Sequence, residues 1–262
     1  AGYDVVEVDV VERQIELPEG VEAVFIALHG EFGEDGGVQS ILDGMGVPYT
    51  GSGAVGSRNA MDKVLTKRAF DEHDVPSPDY EVLRASDKRT LALPVVVKPA
   101  SQGSSIGVHR VRSEEDWATA SEDAFRFGDD LLVEALVLGR EFTVGVVGRT
   151  PLPVVEIVAP DGWYGYEAKY TKGATQYCVP ADLDEAIVAE AHQIALQTFD
   201  ALGCRGFGRV DFMLSEAGEL LVLELNSIPG FTETSLLPKA GAAAGMTFSE
   251  LCDRIMRTAR NG

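Results

Sequence analysis

The residue types best suited to chemistry lie on two strand-like segments late in the sequence. Between Phe207 and Asn226, polar and apolar side chains alternate on either side of a short polar turn, which predicts a β-hairpin. If Met213 opposes Val222, the two-residue period of a strand places Asp211 opposite Glu224. Two facing carboxylates destabilise a sheet unless a cation lies between them.

The same register places Arg209 opposite Asn226. One face of the hairpin then carries an oxygen-rich trio, Asp211, Glu224 and Asn226. A hard cation such as Mg²⁺ takes such ligands and usually shares them with phosphate. Solvated residues on an exposed sheet face would show the same alternation. The sharp turn 226–230 follows directly and would bring backbone N–H groups beside the carboxylates, which favours a metal site.

A second candidate feature surrounds Lys98, which ends an apolar strand-like run and precedes Pro99. That is a poor position for a charge that serves only solvation. The small-residue loop 100–107 carries N–H and hydroxyl groups that could wrap a terminal phosphate. A plain hairpin connection explains the loop equally well. It is not a Walker A loop, because no Gly-Lys-Ser/Thr opens a helix there.

Composition excludes several function classes. The 262 residues carry 22 Lys and Arg against 42 Asp and Glu, a net charge of −20, which argues against nucleic-acid binding and against a polybasic membrane anchor. A hydrophobic content of 45% is too high for a disordered acidic chain. No apolar run approaches the ~18 residues of a membrane helix. Three cysteines without CxxC spacing make a disulfide framework or a zinc site improbable and favour a reducing cytoplasm.

The elements that must position these residues begin with an α/β unit over residues 1–62. Two β-branched runs, Tyr3–Val10 and Val21–Leu28, have the composition of buried strands. The second leads into a Gly-rich loop, His29–Gly36, and then into a helix that stops at Gly46. Such units bind ligands beyond the carboxyl ends of their strands.

Residues 63–140 predict a small α+β domain, and residues 141–262 a second mixed domain that carries the hairpin. The expected elements of the former are a helix over roughly Asn59–His73, strands at Tyr80–Leu83, Val95–Lys98 and Val108–Val111, a helix from a Ser113 cap to about Phe125, and a strand at Leu131–Val137. The latter is expected to contain two strands, a long loop over 160–180, a helix over about Leu183–Leu202, the hairpin, and a closing helix near Phe248–Ala259.

Seven short motifs occur in order along the chain. They are His29-Gly-x-x-Gly-Glu-Asp-Gly36, Met61-Asp-Lys63, Val97-Lys-Pro99, Gly103-Ser-Ser105, Tyr166-Glu-Ala-Lys-Tyr170, Gly208-Arg-Val-Asp211 and Glu224-Leu-Asn-Ser-Ile-Pro-Gly230. From about residue 21 to its end the sequence closely resembles the D-alanine–D-alanine ligases of the ATP-grasp superfamily.

The resemblance implies an ATP-grasp fold: an N-terminal Rossmann-like domain (1–62) and two ATP-grasp subdomains (63–140 and 141–262) with the nucleotide between them. It implies ATP-driven ligation of two D-alanines through an acyl phosphate, for peptidoglycan synthesis in the cytoplasm. The implied cofactors are ATP and Mg²⁺ or Mn²⁺, with two ions. The implied partners are D-alanine and a second copy of the chain in a homodimer.

The resemblance also implies roles for individual residues. Lys63 and Lys98 would neutralise phosphate, and Gly103, Ser104 and Ser105 would close over it. The residues that would contact adenine and ribose are Glu134, Val137, Glu141 and Leu223, and those on a loop that excludes water are Lys169 and Tyr170. The metal would be bound by Asp211, Glu224 and Asn226. Arg209 and the N–H of Gly230 would stabilise the tetrahedral oxyanion, with Ser104, Tyr170 and His29 also catalytic; Ser235 and Leu236 would hold the second D-alanine, and His29 and Tyr164 would line the substrate region.

Two points leave alternatives open. The family opens with a strand, a Gly-rich turn and a Glu that binds the first D-alanine, and these are absent here, so we expect either a truncated sequence of a real ligase or a member that binds nucleotide without ligation. A Tyr at 170, rather than Phe, favours a dipeptide over D-alanyl-D-lactate. Another ATP-grasp ligase, forming D-Ala–D-Ser or D-Ala–D-Lac, would retain the lysines and the Asp/Glu/Asn trio. The acidic excess also suggests adaptation to high salt.

Overall fold

A computed structural model of the protein describes residues 2–171, 173–232 and 235–262, without the side chains at positions 167 and 170. Its helices are α1 Gly37–Met45, α2 Ala54–Met61, α3 Lys63–Glu72, α4 Glu114–Ala124, α5 Tyr166–Tyr170, α6 Glu185–Leu202, α7 Leu236–Ala243 and α8 Phe248–Met256. Its strands are β1 Tyr80–Leu83, β2 Val95–Pro99, β3 His109–Val111, β4 Leu131–Ala135, β5 Gly139–Val147, β6 Thr150–Pro151, β7 Val155–Val158, β8 Gln176–Cys178, β9 Phe207–Ser215 and β10 Leu220–Asn226.

The N-terminal segment differs most from expectation. Neither Tyr3–Val10 nor Val21–Leu28 forms a strand, so both predictions are wrong. Val24 makes a single parallel bridge to Tyr49, and Val5 remains 83% exposed. β-branched residues favour extended backbone, but a strand also needs a ladder of partners, and residues 2–62 supply only isolated bridges. The N-terminal unit is therefore helical and extended, without a sheet of its own.

Residues at the helix ends explain where the first helices begin and end. α1 ends at Gly46, which adopts the left-handed conformation at φ 69°, as the predicted stop requires. The single helix expected over 59–73 is instead two helices that meet at Asp62. The Asp62 carboxylate accepts hydrogen bonds from the N–H groups of Val64 and Leu65, which caps α3 and turns the chain.

A four-stranded antiparallel sheet forms the central part, with strand order β1-β4-β2-β3. Its strands confirm the predicted ones to within about two residues at their ends. Helix α4 covers one face, capped by the Ser113 hydroxyl, which accepts from the N–H of Asp116 at 3.1 Å. The apolar side chains between sheet and helix form a separate core that includes Val95, Val97 and Val133.

A six-stranded sheet forms the C-terminal part, in the order β10-β9-β5-β7-β8 with β6 beside β5. Helix α6 packs on one face, where Phe142, Phe199 and Phe212 are fully or almost fully buried. Helices α7 and α8 and the N-terminal segment, through Ile26, share the core on the other face. The predicted helix and hairpin are confirmed, while the expected loop 160–180 also contains α5 and β8.

Helix α7 was not predicted, because Pro238 lies within a short, small-residue sequence. Pro238 occupies the first turn, where the missing N–H has no helical partner to lose. Across the described ranges, no helix combines the length and apolarity needed to cross a membrane. The boundaries at 62/63 and 140/141 remain predictions.

Candidate active site

A cavity of about 310 Å³ lies between the two sheets. The four-stranded sheet contributes one wall and the β9–β10 hairpin the other. The predicted site residues that line it come from all along the chain after residue 62: Lys63, Lys98, Gly103, Ser104, Ser105, Glu134, Val137, Glu141, Tyr164, Lys169, Asp211, Leu223 and Glu224. Nucleotide residues and two of the three metal candidates, suggested by separate motifs, thus meet at one place, whereas the third metal candidate, Asn226, does not line the cavity.

The hairpin register is confirmed at the candidate site and wrong beyond it. Asp211 opposes Glu224, as predicted, but Met213 opposes Leu221 rather than Val222. A β-bulge at Leu223 accounts for the difference, because one extra residue in β10 shifts the pairing. The bulge also lets two consecutive residues of β10 face the cavity. Val222 is buried in the core, whereas Leu223 and Glu224 both line the cavity.

Arg209 supplies the cation that the facing carboxylates need. Its Nε and Nη2 donate to the two oxygens of Asp211 at 2.8 Å each, and the Thr143 hydroxyl donates to Asp211 Oδ1 at 2.6 Å. Burial would raise the pKa of Asp211, but the guanidinium outweighs it and holds that pKa below its ordinary value. Asp211 therefore stays ionised although it is buried.

The donors for a metal are present but partly engaged. Asn226 Oδ1 is buried and has no hydrogen-bond partner among the described residues. It lies two pairs along the ladder from Glu224 and Asp211, on the same face of the hairpin. An unpartnered buried carbonyl oxygen beside two carboxylates suits a hard cation. Within the described part of the chain, however, no three His, Cys, Asp or Glu side chains are already gathered as a metal site.

The opposite wall carries the cations. Lys63 Nζ donates to the carbonyl of Gln102 at 2.5 Å, which ties the start of α3 to the small-residue loop. Lys98 forms an ion pair with Glu134. Burial would lower the pKa of Lys98, but Glu134 and Glu224 more than compensate, so its pKa lies above the ordinary value. Burial lowers the pKa of Lys63.

The loop after Lys98 adopts an uncommon backbone. Ser104 and Ser105 both have positive φ, 53° and 58°, a conformation that L-residues rarely adopt. Both line the cavity, and the segment from Gly103 presents its small side chains there. A sequence of small residues that turns back on itself in this way exposes backbone groups to a ligand.

Glu141 is a carboxyl group in an unusual setting. It lies on β5 at the cavity wall, on the same sheet face as Asp211, since Glu141 and Thr143 pair with Met213 and Asp211 on β9. Burial, and next the charge of Asp211, raise its pKa to about 7, against the opposing effect of Lys169. At neutral pH Glu141 therefore carries a proton in a large fraction of molecules.

Of the predicted substrate residues, Tyr164 lines the cavity, whereas the others do not: His29, Arg209, Gly230, Ser235 and Leu236. His29 Nδ1 is 3.1 Å from the carbonyl of Ile228, which places the Gly-rich loop against the turn after β10. In that turn, a Cβ added to Gly230 would lie 3.0 Å from the Ser235 hydroxyl, so these two residues are adjacent. Ser235 occupies the N-cap position of α7, whose first residue is Leu236, without a capping hydrogen bond from its side chain.

Aromatic contacts join the segment before α5 to strand β8 of the six-stranded sheet. The Tyr164 and Tyr177 hydroxyls are 3.0 Å apart, and Lys169 Nζ lies 5.2 Å from the centre of the Tyr164 ring. The side chain of Tyr170, predicted to be catalytic, lies outside the described residues.

Several residues in or near the cavity were not predicted as site residues from the sequence. Lys67 reaches Glu134 from behind the cavity wall, and Glu34 accepts from the N–H of Gly30 at 2.5 Å. Arg110 on β3 stacks 4.7 Å from the centre of the Trp163 ring in the segment between β7 and α5, and both residues line the cavity. Glu34 lies within the motif His29–Gly36, and Lys67 follows the motif that ends at Lys63, so the sequence contained a signal for both. No pattern in the sequence indicated that Arg110 would contact Trp163.

Comparisons with known proteins give consistent results. Residues 4–52 match the family model described as D-ala D-ala ligase N-terminus, and residues 64–257 match that described as D-ala D-ala ligase C-terminus. The chain is 47% identical to the D-alanine–D-alanine ligase of Syntrophotalea carbinolica over 261 residues, which covers 97% of this chain and 85% of that protein. It is 44% identical to the enzyme of that name from Bordetella petrii over 270 residues, which covers 99% of this chain and 83% of the relative.

Solved structures agree with the sequence comparisons. The crystal structure of the Bacillus anthracis D-alanine–D-alanine ligase superposes with a TM-score of 0.82 at 33% identity and covers 92% of this chain and 80% of that one. The same enzyme complexed with ATP superposes with a TM-score of 0.79 at 30% identity, covering 90% of this chain and 78% of that one. The arrangement of the two sheets around the cavity is therefore that of a known fold.

Proposed function

The chain belongs to the D-alanine–D-alanine ligase family, with the ATP-grasp fold, and we propose that it joins two D-alanines through an acyl phosphate formed in the cavity between the sheets. It is an ATP-dependent ligase of peptidoglycan precursor synthesis. The observation that carries the proposed site is the convergence of residues from separate motifs on one cavity.

In the first step, the carboxylate of one D-alanine attacks the γ-phosphorus of ATP, ADP leaves, and an acyl phosphate forms. Lys63 and Lys98 offset the charge of the phosphates, and Gly103, Ser104 and Ser105 cover them. Both lysines line the cavity, and the loop meets Lys63 through its contact with Gln102, which supports this placement.

Adenine and ribose occupy the deeper part of the same cavity. Val137 and Leu223 provide apolar contacts, the latter because the bulge turns it toward the cavity. Glu134 reads the adenine, and Glu141 accepts from the ribose hydroxyls. Lys169 and Tyr170 lie on the segment that excludes water once the substrates are bound.

In the second step, the amine of the second D-alanine attacks the acyl carbon, and the tetrahedral intermediate expels phosphate. His29 and Tyr164 line the substrate region, and Ser235 and Leu236 hold the second D-alanine. The N–H of Gly230 and the guanidinium of Arg209 face the oxyanion. Arg209 donates to Asp211 through Nε and Nη2, and its hydrogen bonds to the described residues leave Nη1 available for the substrate.

Asp211, Glu224 and Asn226 would hold Mg²⁺ or Mn²⁺. The unpartnered Asn226 oxygen and the adjacent carboxylates fit oxygen coordination of two ions, which neutralise phosphate charge when bound. The family resemblance further supports a homodimer, and light scattering on the purified protein tests this oligomeric state. The same resemblance supports a place in the cytoplasm.

The test measures ADP and phosphate release from ATP with and without D-alanine, followed by mass spectrometry of the product. We expect release that depends on D-alanine and yields D-alanyl-D-alanine. D-alanine carrying ¹⁸O in its carboxyl group should transfer one ¹⁸O to the released phosphate, because the carboxylate oxygen stays with phosphorus when the acyl phosphate breaks down. Release without D-alanine, or unlabelled phosphate, would contradict the proposal.

Two alternatives give different results in the same assay. A ligase for another acceptor would turn over with D-serine or D-lactate in preference to a second D-alanine. A nucleotide-binding protein without ligase activity would bind ATP without turnover.

A further inference from the structure

Lys67 is a buried lysine that lies behind the cavity wall. It follows Lys63 by one helical turn on α3, but only 1% of its side chain is exposed and it does not line the cavity. Its Nζ is 2.6 Å from Glu134 Oε1. A lysine is almost never fully buried unless it is paired, so this contact accounts for its position.

Glu134 joins Lys67 to the cavity. Its other oxygen, Oε2, forms the ion pair with Lys98, and both Glu134 and Lys98 line the cavity. One carboxylate thus lies between two ammonium groups, one behind the wall and one in front. The pKa of Glu134 falls to about 2, because Lys98 and Lys67 together outweigh the effect of burial.

Contacts other than the one with Glu134 also hold the Lys67 ammonium in position. Its Nζ lies 5.5 Å from the centre of the Tyr80 ring and 5.9 Å from that of Phe70, and it donates weakly to the carbonyl of Pro78 at 3.4 Å. Phe70 belongs to α3 and Tyr80 to β1. These packed rings leave the ammonium little freedom, so the oxygen that it holds is fixed as well.

We propose that Lys67 is a positioning residue for nucleotide binding, which acts through Glu134 to fix the carboxylate and, with it, the ammonium of Lys98 in the cavity. This inference rests on the proposed function only in assigning the nucleotide to that cavity. Lys67 touches no substrate itself. It orients the two groups that do, in the way that outer contacts orient the ligands of a metal site.

Removal of Lys67 should therefore weaken nucleotide binding in two ways. Glu134 would lose the partner of Oε1 and could turn about its side chain, which would release Lys98 from its position. The cluster of two cations and one anion would also fall from a charge of +1 to neutral, which reduces the attraction for phosphate. The remaining Glu134–Lys98 pair is balanced, so the variant leaves no buried charge unpaired and should fold.

The test compares Lys67→Met with Arg68→Met. The control removes a positive charge from the next residue of the same helix, where the side chain is exposed. For Lys67→Met we expect KM for ATP to rise about tenfold or more, the factor that corresponds to about 1.4 kcal/mol. KM for D-alanine and kcat should stay within about twofold of wild type, and Arg68→Met should change none of the three.

Calorimetric titration with a non-hydrolysable ATP analogue provides the same comparison without turnover. A wild-type protein that binds the analogue but ligates nothing would contradict the proposed function. The role of Lys67 would then be decided by the affinities of wild type and Lys67→Met for the analogue. An affinity and a KM for ATP within about twofold of wild type would overturn the inference, even if Lys67→Met lowered the melting temperature. A parallel loss in kcat and in both KM values would also overturn it, because general distortion acts in that way.

A double-mutant cycle tests the route through Glu134. In a Glu134→Gln background, the Lys67→Met change should have no further effect on KM for ATP, whereas an additive effect would show that Lys67 acts independently and would overturn the assignment. Should Lys67→Met fail to fold, Lys67→Gln replaces it in both comparisons. The amide retains a donor toward Glu134 without the charge, and we expect a smaller rise in KM for ATP.

Discussion

The protonation of Glu141 makes a quantitative prediction about stability. Its pKa is about 7 in the folded protein against an ordinary value of 4.5. Between these values the unfolded chain has released the proton that the folded protein retains, so the free energy of unfolding falls as pH rises through this window. A difference of about 2.5 units at 1.36 kcal/mol each amounts to roughly 3 kcal/mol, reached in full above about pH 7.

The perturbation is Glu141→Gln, which keeps the shape and removes the titration. Urea unfolding, followed by tryptophan fluorescence between pH 5 and pH 8, gives the free energy of unfolding of both proteins. We expect wild type to lose up to roughly 3 kcal/mol more than the variant as pH rises across this range. The difference between the two proteins isolates Glu141 from every other group that titrates.

A matched control uses Glu216, a carboxylate that lines the same cavity but is exposed to solvent. Glu216→Gln removes a carboxylate from the same cavity and so controls for the loss of negative charge there. Parallel stability curves for wild type and Glu141→Gln would refute the reasoning, because they would mean that Glu141 ionises in the folded protein as readily as in the unfolded chain.

Three further predictions concern other parts of the molecule. Glu224→Ala should abolish D-alanine-dependent turnover while the melting temperature changes little, and a variant with the full rate would contradict the metal assignment. Gly56→Ala should destabilise the protein by about 1–3 kcal/mol in urea unfolding, since its Cβ would lie 2.5 Å from the carbonyl oxygen of Gly203. Gly44→Ala, with nothing within 4 Å, should instead stabilise it by about 0.5–1 kcal/mol, and equal effects at both positions would contradict this packing argument. Turnover should persist in about 1 M salt if the acidic excess reflects a saline habitat, and a complete loss would reject that idea.

Local sequence signals predicted most of the two sheets and their helices. The hydroxyl of Ser113 caps α4 and Gly46 ends α1, because capping depends on a few neighbouring residues. The pairing of Asp211 with Glu224 was predicted from a register that placed Met213 opposite Val222, and the structure reaches this pairing only through the bulge at Leu223. The two caps depend on interactions between residues that are close along the chain.

The predictions that proved wrong concern partners that are distant along the chain. Val21–Leu28 has the composition of a strand but finds only a bridge at Tyr49. The bulge at Leu223 could not be foreseen, because it depends on how β10 fits between the core and the cavity rather than on β10 alone.

The amino-acid sequence by itself determined the family, the order of the motifs and the residue types proposed to meet ATP and D-alanine. Only the tertiary structure decided how those groups are paired: Arg209 with Asp211, and Glu134 between Lys98 and Lys67. The physical reason is that burial and charge act through space. A carboxylate is neutral or ionised according to which side chains the fold brings within a few ångströms, and spacing along the chain does not contain that information.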